Sequence, residues 1–172
     1  MSYIPFTQLP SSSRLWVFAL DRTMSEAESM QLLAEVSAFL ERWTAHNVAL
    51  AAGCELRYGR FLFIAADEAA AGASGCSIDE LYRRIRLLGE TFGVNFMNNL
   101  SVFFRNDAGE IEMTDRSTFS DLAANGTITE ETIVFDNSIT SIEALTSGNW
   151  EVPMHKSWHI SLLGHISPIT GQ

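Results

Sequence analysis

Glu55-Leu56-Arg57-Tyr58-Gly59-Arg60-Phe61-Leu62 is the stretch on which the fold turns. Runs suited to strands flank it, residues 48 to 57 before and 60 to 66 after, and Tyr58-Gly59 between them is a two-residue connection of the hairpin kind. In that register Arg57 faces Arg60 and Leu50 faces Asp67.

Working back from the hairpin, Ser25 followed by Glu28 has the spacing of a capping box, in which each side chain satisfies a free amide of a first helical turn. Leu32, Val36, Phe39, Leu40 and Trp43 follow at helical spacing, so a helix is expected over about 26 to 45. Leu15-Trp16-Val17-Phe18-Ala19-Leu20 is apolar on both alternating faces, as in a central strand covered on each side. The lead-in, residues 1 to 13, ends in Pro10-Ser11-Ser12-Ser13 and is expected to run along the surface.

Beyond the hairpin, a small-residue loop over 69 to 75 leads to Ser77-Ile78-Asp79-Glu80, a second capping-box pattern. Leu81, Ile85, Leu88 and Phe92 form the buried stripe of the helix it opens, and Gly93 stands where a left-handed residue ends such a helix. Leu100-Ser101-Val102-Phe103-Phe104 reads as a strand, Asn106-Asp107-Ala108-Gly109 as a turn, and Glu110 to Thr114 as a shorter strand. A short helix over Thr118 to Ala124 and a strand over Thr132 to Phe135 follow. The β-α-β-β-α-β order predicts an α+β fold with a ferredoxin-like core over about 14–105 and a small α/β extension over 106–165, within a single domain.

At 172 residues the chain suffices for one ordinary domain. Asp and Glu total 21 against 11 Lys and Arg, a net charge of −10, which repels phosphate backbones and anionic lipid. Neither nucleic acid nor a membrane is expected as a partner. The most basic stretch, Arg83-Arg84-Ile85-Arg86, lies in a helical pattern and reads as a solvated face. The start of the chain lacks the pattern of a secretion signal, and no run approaches the ~20 apolar residues that span a bilayer, so a cytoplasmic location is expected. The two cysteines, Cys54 and Cys76, are accordingly expected to be reduced.

Chain direction gathers chemistry at one edge. The end of the first helix, the start of the next strand, the end of the hairpin and the start of the second helix should meet there. They bring Trp43 and His46, then Asp67 and Glu68, then Ser74, Gly75, Cys76, Ser77 and Asp79; Arg14 and Arg105 would complete the rim. A cysteine at a helix N-terminus feels the positive end of the dipole, which favours its thiolate, and an imidazole nearby strengthens the effect. Cys76 with His46 as base and Asp67, Glu68 or Asp79 as orienter would form a nucleophilic pair, with the amides of Gly75 to Ser77 holding an anion or oxyanion. In the plainer alternative, Ser77 and Glu80 cap a helix, Cys76 is buried and His46 bonds a loop carbonyl. A metal site is the weaker option, because His46, Cys76, Asp67 and Glu68 are ligand types for zinc but do not fall in close ligand pairs, and no cofactor is called for.

His155, His159 and His165 stand in a segment that reads as extended and are taken as unrelated surface residues; Trp150 and Trp158 are taken as core or interface aromatics. The chain has no G-x-S-x-G elbow, no H-E-x-x-H, no strand followed by G-x-G-x-x-G, and no G-x-x-x-x-G-K-[ST] loop, which leaves common hydrolase and nucleotide machinery unsupported.

Arg14-Leu15-Trp16-Val17-Phe18, Trp43-Thr44-Ala45-His46, Arg57-Tyr58-Gly59-Arg60-Phe61, Asp67-Glu68, Ser74-Gly75-Cys76-Ser77-Ile78-Asp79 and Trp150-Glu151-Val152-Pro153 with Lys156-Ser157-Trp158-His159 resemble segments of a family of short uncharacterised Bacteroidetes and Chlorobi proteins. Members often carry the label "ABC transporter ATPase", which this chain contradicts by lacking a phosphate-binding loop. The resemblance implies shared structure and a shared motif set without a known reaction. From Phe103 to Pro153, Gly109, Leu122, Gly126-Thr127-Ile128, Thr132, Val134-Phe135 and Trp150-Glu151-Val152-Pro153 are similar to GYF-like modules, which implies a small domain for proline-rich peptides, although the naming Gly-Tyr-Phe tripeptide is absent.

Three functions stay open, in this order: a non-catalytic binding or adaptor module meeting another protein or peptide through its acidic surface and C-terminal aromatics; a cysteine-dependent acyl-transfer or hydrolytic enzyme using Cys76 and His46; and a site at the same edge for a small ligand or metal without turnover.

Overall fold

The computed structural model describes residues 3–69, 71–97 and 100–163. The fold is α+β, and the chain divides into two compact units. One runs up to residue 98 and takes in 137–147; the other holds 99–136 and residue 148 onward. Among the described residues no helix is long and apolar enough to cross a membrane.

In the first unit the elements are β1 (Arg14–Leu20), α1 (Glu26–Leu40), β2 (Thr44–Ala45), β3 (Val48–Ala49), β4 (Ala51–Arg57), β5 (Phe61–Asp67), α2 (Gly75–Phe92), β6 (Phe96–Met97) and α4 (Ile142–Thr146). Four strands form an antiparallel sheet in the order β4-β5-β1-β6. Trp16, Phe18, Leu20, Leu62, Ile64 and Ala66 point from one face of that sheet into a core shared with Leu32, Val36 and Leu40 of α1 and Leu81, Ile85 and Leu88 of α2. Full burial of each large apolar side chain stabilises by about 1.5–3 kcal/mol, so this layer carries the unit.

Several expectations are corrected here. The strand on the outer side of β1 is Phe96–Met97, paired with Leu20 and Ala19, whereas Ser101–Arg105 belongs to the second unit. The expected boundary at 105/106 therefore falls too late. Helix α1 stops at Leu40, not near 45, and the chain instead makes a small hairpin, β2 with β3. Leu50 is buried and interrupts the strand expected over 48–57, its amide donating to Trp43 O at 3.0 Å. In the main hairpin Arg57 faces Phe61 and Ala51 faces Asp67, one residue away from the expected register. Arg60 bulges from the ladder because its guanidinium turns back to donate to Leu20 O at 3.2 Å and Asp21 O at 3.1 Å.

The lead-in is also less superficial than its turn residues suggest, since Phe6 and Leu9 are buried and the Ile4 amide donates to Ala52 O at 2.8 Å. Gly53 makes this possible: a Cβ there would stand 2.2 Å from Ile4 O.

The second unit contains β7 (Ser101–Arg105), β8 (Ile111–Asp115), α3 (Arg116–Ala124), β9 (Ile133–Phe135) and β10 (Glu151–Pro153), with strand order β10-β9-β7-β8. Phe104, Phe119, Val134, Val152 and Met154 build its core. Residues 154–156 and 158–163 are 3-10 turns rather than the extended chain expected.

Candidate functional site

The site begins with two turns. Between β2 and β3, His46 and Asn47 are the only loop residues and both are left-handed, with φ of 51° and 64°, which makes a type I′ turn. Asn tolerates that conformation; His does so at a cost. The result is an imidazole held out at the tip of a short rigid hairpin, exposed to solvent.

Facing it is the first turn of α2. The cap is Ser74, not Ser77: Ser74 Oγ accepts from Ser77 N at 3.2 Å, and Ser74 O accepts from Ser77 Oγ at 2.8 Å and Ile78 N at 2.9 Å. Ser77 is thus buried inside the first turn, and Gly75 and Cys76 are its leading residues. Their amides have no acceptor among the described residues. Trp43 ties the two turns together, its indole Nε1 donating to Ser77 O at 2.9 Å while its ring packs edge-on against Trp16 at 5.7 Å. Trp43 is 1% exposed, so it is scaffold and not the binding residue expected.

Between the turns lies a concavity of about 540 Å³ lined by Thr44, His46, Asn47, Ser74, Gly75, Cys76, Ser77 and Glu80. The Cys76 thiol is exposed. Glu80, one helical turn after Cys76 on the same face, joins the lining, and Asp79 does not.

The other carboxylates expected as orienters are engaged elsewhere. Asp67 Oδ1 accepts from Ala69 N at 3.0 Å, and Glu68 Oε1 accepts from Ala73 N at 2.9 Å and faces Arg14 Nη1 at 3.6 Å. Arg14 also lies over the Trp16 ring at 4.9 Å, outside the concavity. Arg105 belongs to the second unit, where Nε donates to Glu151 at 2.6 Å. No group of three His, Cys, Asp or Glu among the described residues is placed to hold a metal ion.

The cysteines differ sharply. Cys54 is buried beside the Ser37 hydroxyl at 3.6 Å, and that burial pushes its thiol up.

In the second unit Trp150 is 3% exposed and packs on Phe135 at 5.1 Å, so it is core rather than a docking aromatic. Trp158 is partly exposed, yet its Nε1 donates to Asp136 Oδ1 at 3.1 Å and Arg116 lies over its ring at 4.8 Å. His159, expected at the surface, is buried, stacks on Trp158 at 3.9 Å and has Nδ1 at 2.7 Å from Ser157 Oγ. Burial drives its pKa down to about 4, against a rise from Asp136 and with a further lowering from Arg116. His155 is exposed, its Nδ1 3.2 Å from Glu130 O, and His165 lies outside the described residues.

Thr44, Asn47 and Glu80 are lining residues that the sequence did not single out as a site. A short polar interval containing His46-Asn47 was the available signal of a two-residue turn, masked by Trp43 falling on the helical period of α1.

No family model, curated protein or solved structure matches this chain.

Proposed function

We propose that the protein is a non-catalytic binding protein whose ligand is a small molecule carrying a carboxylate or phosphate, held between the β2–β3 turn and the first turn of α2. One observation carries this reading: Gly75 and Cys76, whose amides have no acceptor among the described residues, line one concavity together with Thr44, Asn47 and His46. Free amides at a helix start favour negative charge, and neutral polar side chains supply further hydrogen bonds. Glu80 adds a negative charge to the lining, which favours a ligand that pairs its anionic group with a hydroxyl or amine.

Turnover is the less favoured reading because a Cys-His pair works through a third group that orients the base, and Asp67 and Glu68 bond their own loop instead. The exposed thiol sharing the concavity with His46 keeps it as a second reading, in which the Cys76 thiolate adds to an acyl carbon and His46 takes the thiol proton and returns it to the leaving group.

Titration of the protein, followed by amide NMR at constant ionic strength, with inorganic phosphate, acetate, lactate and glycine tests the first reading. Saturating shifts at residues 44–47 and 74–80 with at least one of these are expected; shifts scattered over the surface, or none, refute it. Iodoacetamide labelling separates the second. Rapid alkylation of Cys76 that slows in His46→Ala supports a nucleophile, whereas an unchanged rate leaves binding alone.

A further inference from the structure

An apolar groove lies elsewhere on α2, along its C-terminal half beside β1 and β6. Its volume is about 960 Å³, and Phe18, Tyr82, Ile85, Gly89, Phe96 and Met97 form its apolar lining. Tyr82 is 53% exposed, with its ring edge-on to Phe18 at 5.3 Å. Gly89 lets the chain before β6 approach the helix closely, since a Cβ there would stand 2.8 Å from Val94 O and 3.3 Å from the Phe96 ring.

Arg83 and Arg86 border this groove, with Glu90 as the only carboxylate in its lining. The partners of the unit's other arginines make these two unusual. Arg14, Arg22, Arg57 and Arg84 are ion-paired with Glu68, Glu28, Glu55 and Glu35, while Arg42 and Arg60 donate to backbone carbonyls. Arg83 and Arg86 have no carboxylate or carbonyl partner among the described residues, on a chain with 21 acids to 11 bases. Two guanidiniums thus border the apolar groove without an ion pair among the described residues, beside the single carboxylate of Glu90. Bare cations beside exposed aromatic surface complement a partner that presents both apolar groups and carboxylates.

We infer that this groove docks a short segment of another protein in which apolar side chains alternate with Asp or Glu, the apolar groups seated on Tyr82, Phe18 and Phe96 and the carboxylates on Arg83 and Arg86. This surface is separate from the concavity at Cys76, and either can fail without the other. Arginine fits the role because its guanidinium pairs with a carboxylate through parallel N–H bonds.

The test is selection of a random short-peptide phage library on the whole protein, with the enriched peptides then titrated by fluorescence anisotropy. Peptides with two or more large apolar residues flanked by Asp or Glu are expected, with affinity falling about tenfold in R83Q and again in R86Q, as loss of a charge-assisted bond implies. Both arginines are exposed, so these variants should keep the wild-type amide NMR spectrum; Leu87→Ala, exposed on α2 but outside the groove lining, should bind as wild type. Several outcomes overturn the proposal: no enrichment, basic or uncharged winners, binding indifferent to both substitutions, or binding of dodecanoate without any peptide. Self-association by sedimentation that R83Q and R86Q abolish would assign the groove to a second copy and overturn it equally.

Discussion

The turn region of the first unit and the C-terminal 3-10 segment of the second hold nearly the same chemical groups and use them in opposite ways. One presents His46, Cys76, Ser74 and Glu80 around a concavity; the other packs His159, Ser157, Asp136 and Trp158 against one another. In the second, Ser, His and Asp lie within hydrogen-bonding reach of a neighbour, with Ser157 Oγ 2.7 Å from His159 Nδ1 and 3.5 Å from Asp136 Oδ2. The carboxylate accepts from the Ser157 hydroxyl and the Trp158 indole, and His159 is only 1% exposed. Composition alone would rank the two regions alike. What separates them is access and whether polar groups satisfy one another internally.

The largest expected effects fall on the scaffold beneath each region. Trp43→Ala should cost about 3–5 kcal/mol in urea unfolding, as buried aromatic truncations do, and Trp150→Ala should cost as much in the second unit. A Trp150→Ala protein of wild-type stability would show that this residue is surface after all. Trp43→Phe separates packing from the indole bond to Ser77 O and should cost less, about 1–2 kcal/mol.

Acid should break the second region selectively. His159 is held neutral with a pKa of about 4, below its ordinary 6.5. Protonation therefore favours the unfolded form: the stability its neutral form supplies is complete above about 6.5 and is lost as pH falls towards 4, up to about 3 kcal/mol by linkage. Amide protection factors in residues 150–163, corrected for the intrinsic pH dependence of exchange, should fall over that window in wild type and stay nearly flat in His159→Gln. Equal acid sensitivity in both proteins would remove His159 from the explanation.

Smaller again is the cap. Ser74→Ala should lower stability by about 1 kcal/mol, while Glu80→Ala should leave it within about 0.5 kcal/mol, since the N-terminal cap is Ser74. The reverse ranking would restore the start at Ser77 that the sequence suggested.

These contrasts show what the sequence carried. Long elements with a clear period were legible: the β1 run, the stripes of α1 and α2, and Gly93 at φ 61°. His46 and Cys76, expected at one edge, both line the concavity, although His46 reaches it from the β2–β3 turn and not from the end of α1. Ser74 and Ser77 both stand at cap spacing from a following polar residue, and only tertiary contact, with Trp43 holding Ser77 O, distinguishes them. The register slipped by one because the bulge at Arg60 answers to carbonyls at Leu20 and Asp21, distant in sequence. His159 was misplaced because 3-10 turns leave no helical period from which to read a buried face.

His46→Gly tests the central claim most directly, when thermal stability and anion titration are measured on the same sample. Glycine relieves the left-handed φ of 51° at that position and should raise stability by about 0.5–1 kcal/mol. If the imidazole is kept for a ligand, the more stable variant should lose the phosphate- or carboxylate-induced shifts at Gly75 and Cys76 seen in wild type. A variant that gains stability and still titrates like wild type would contradict the claim that His46 serves this site.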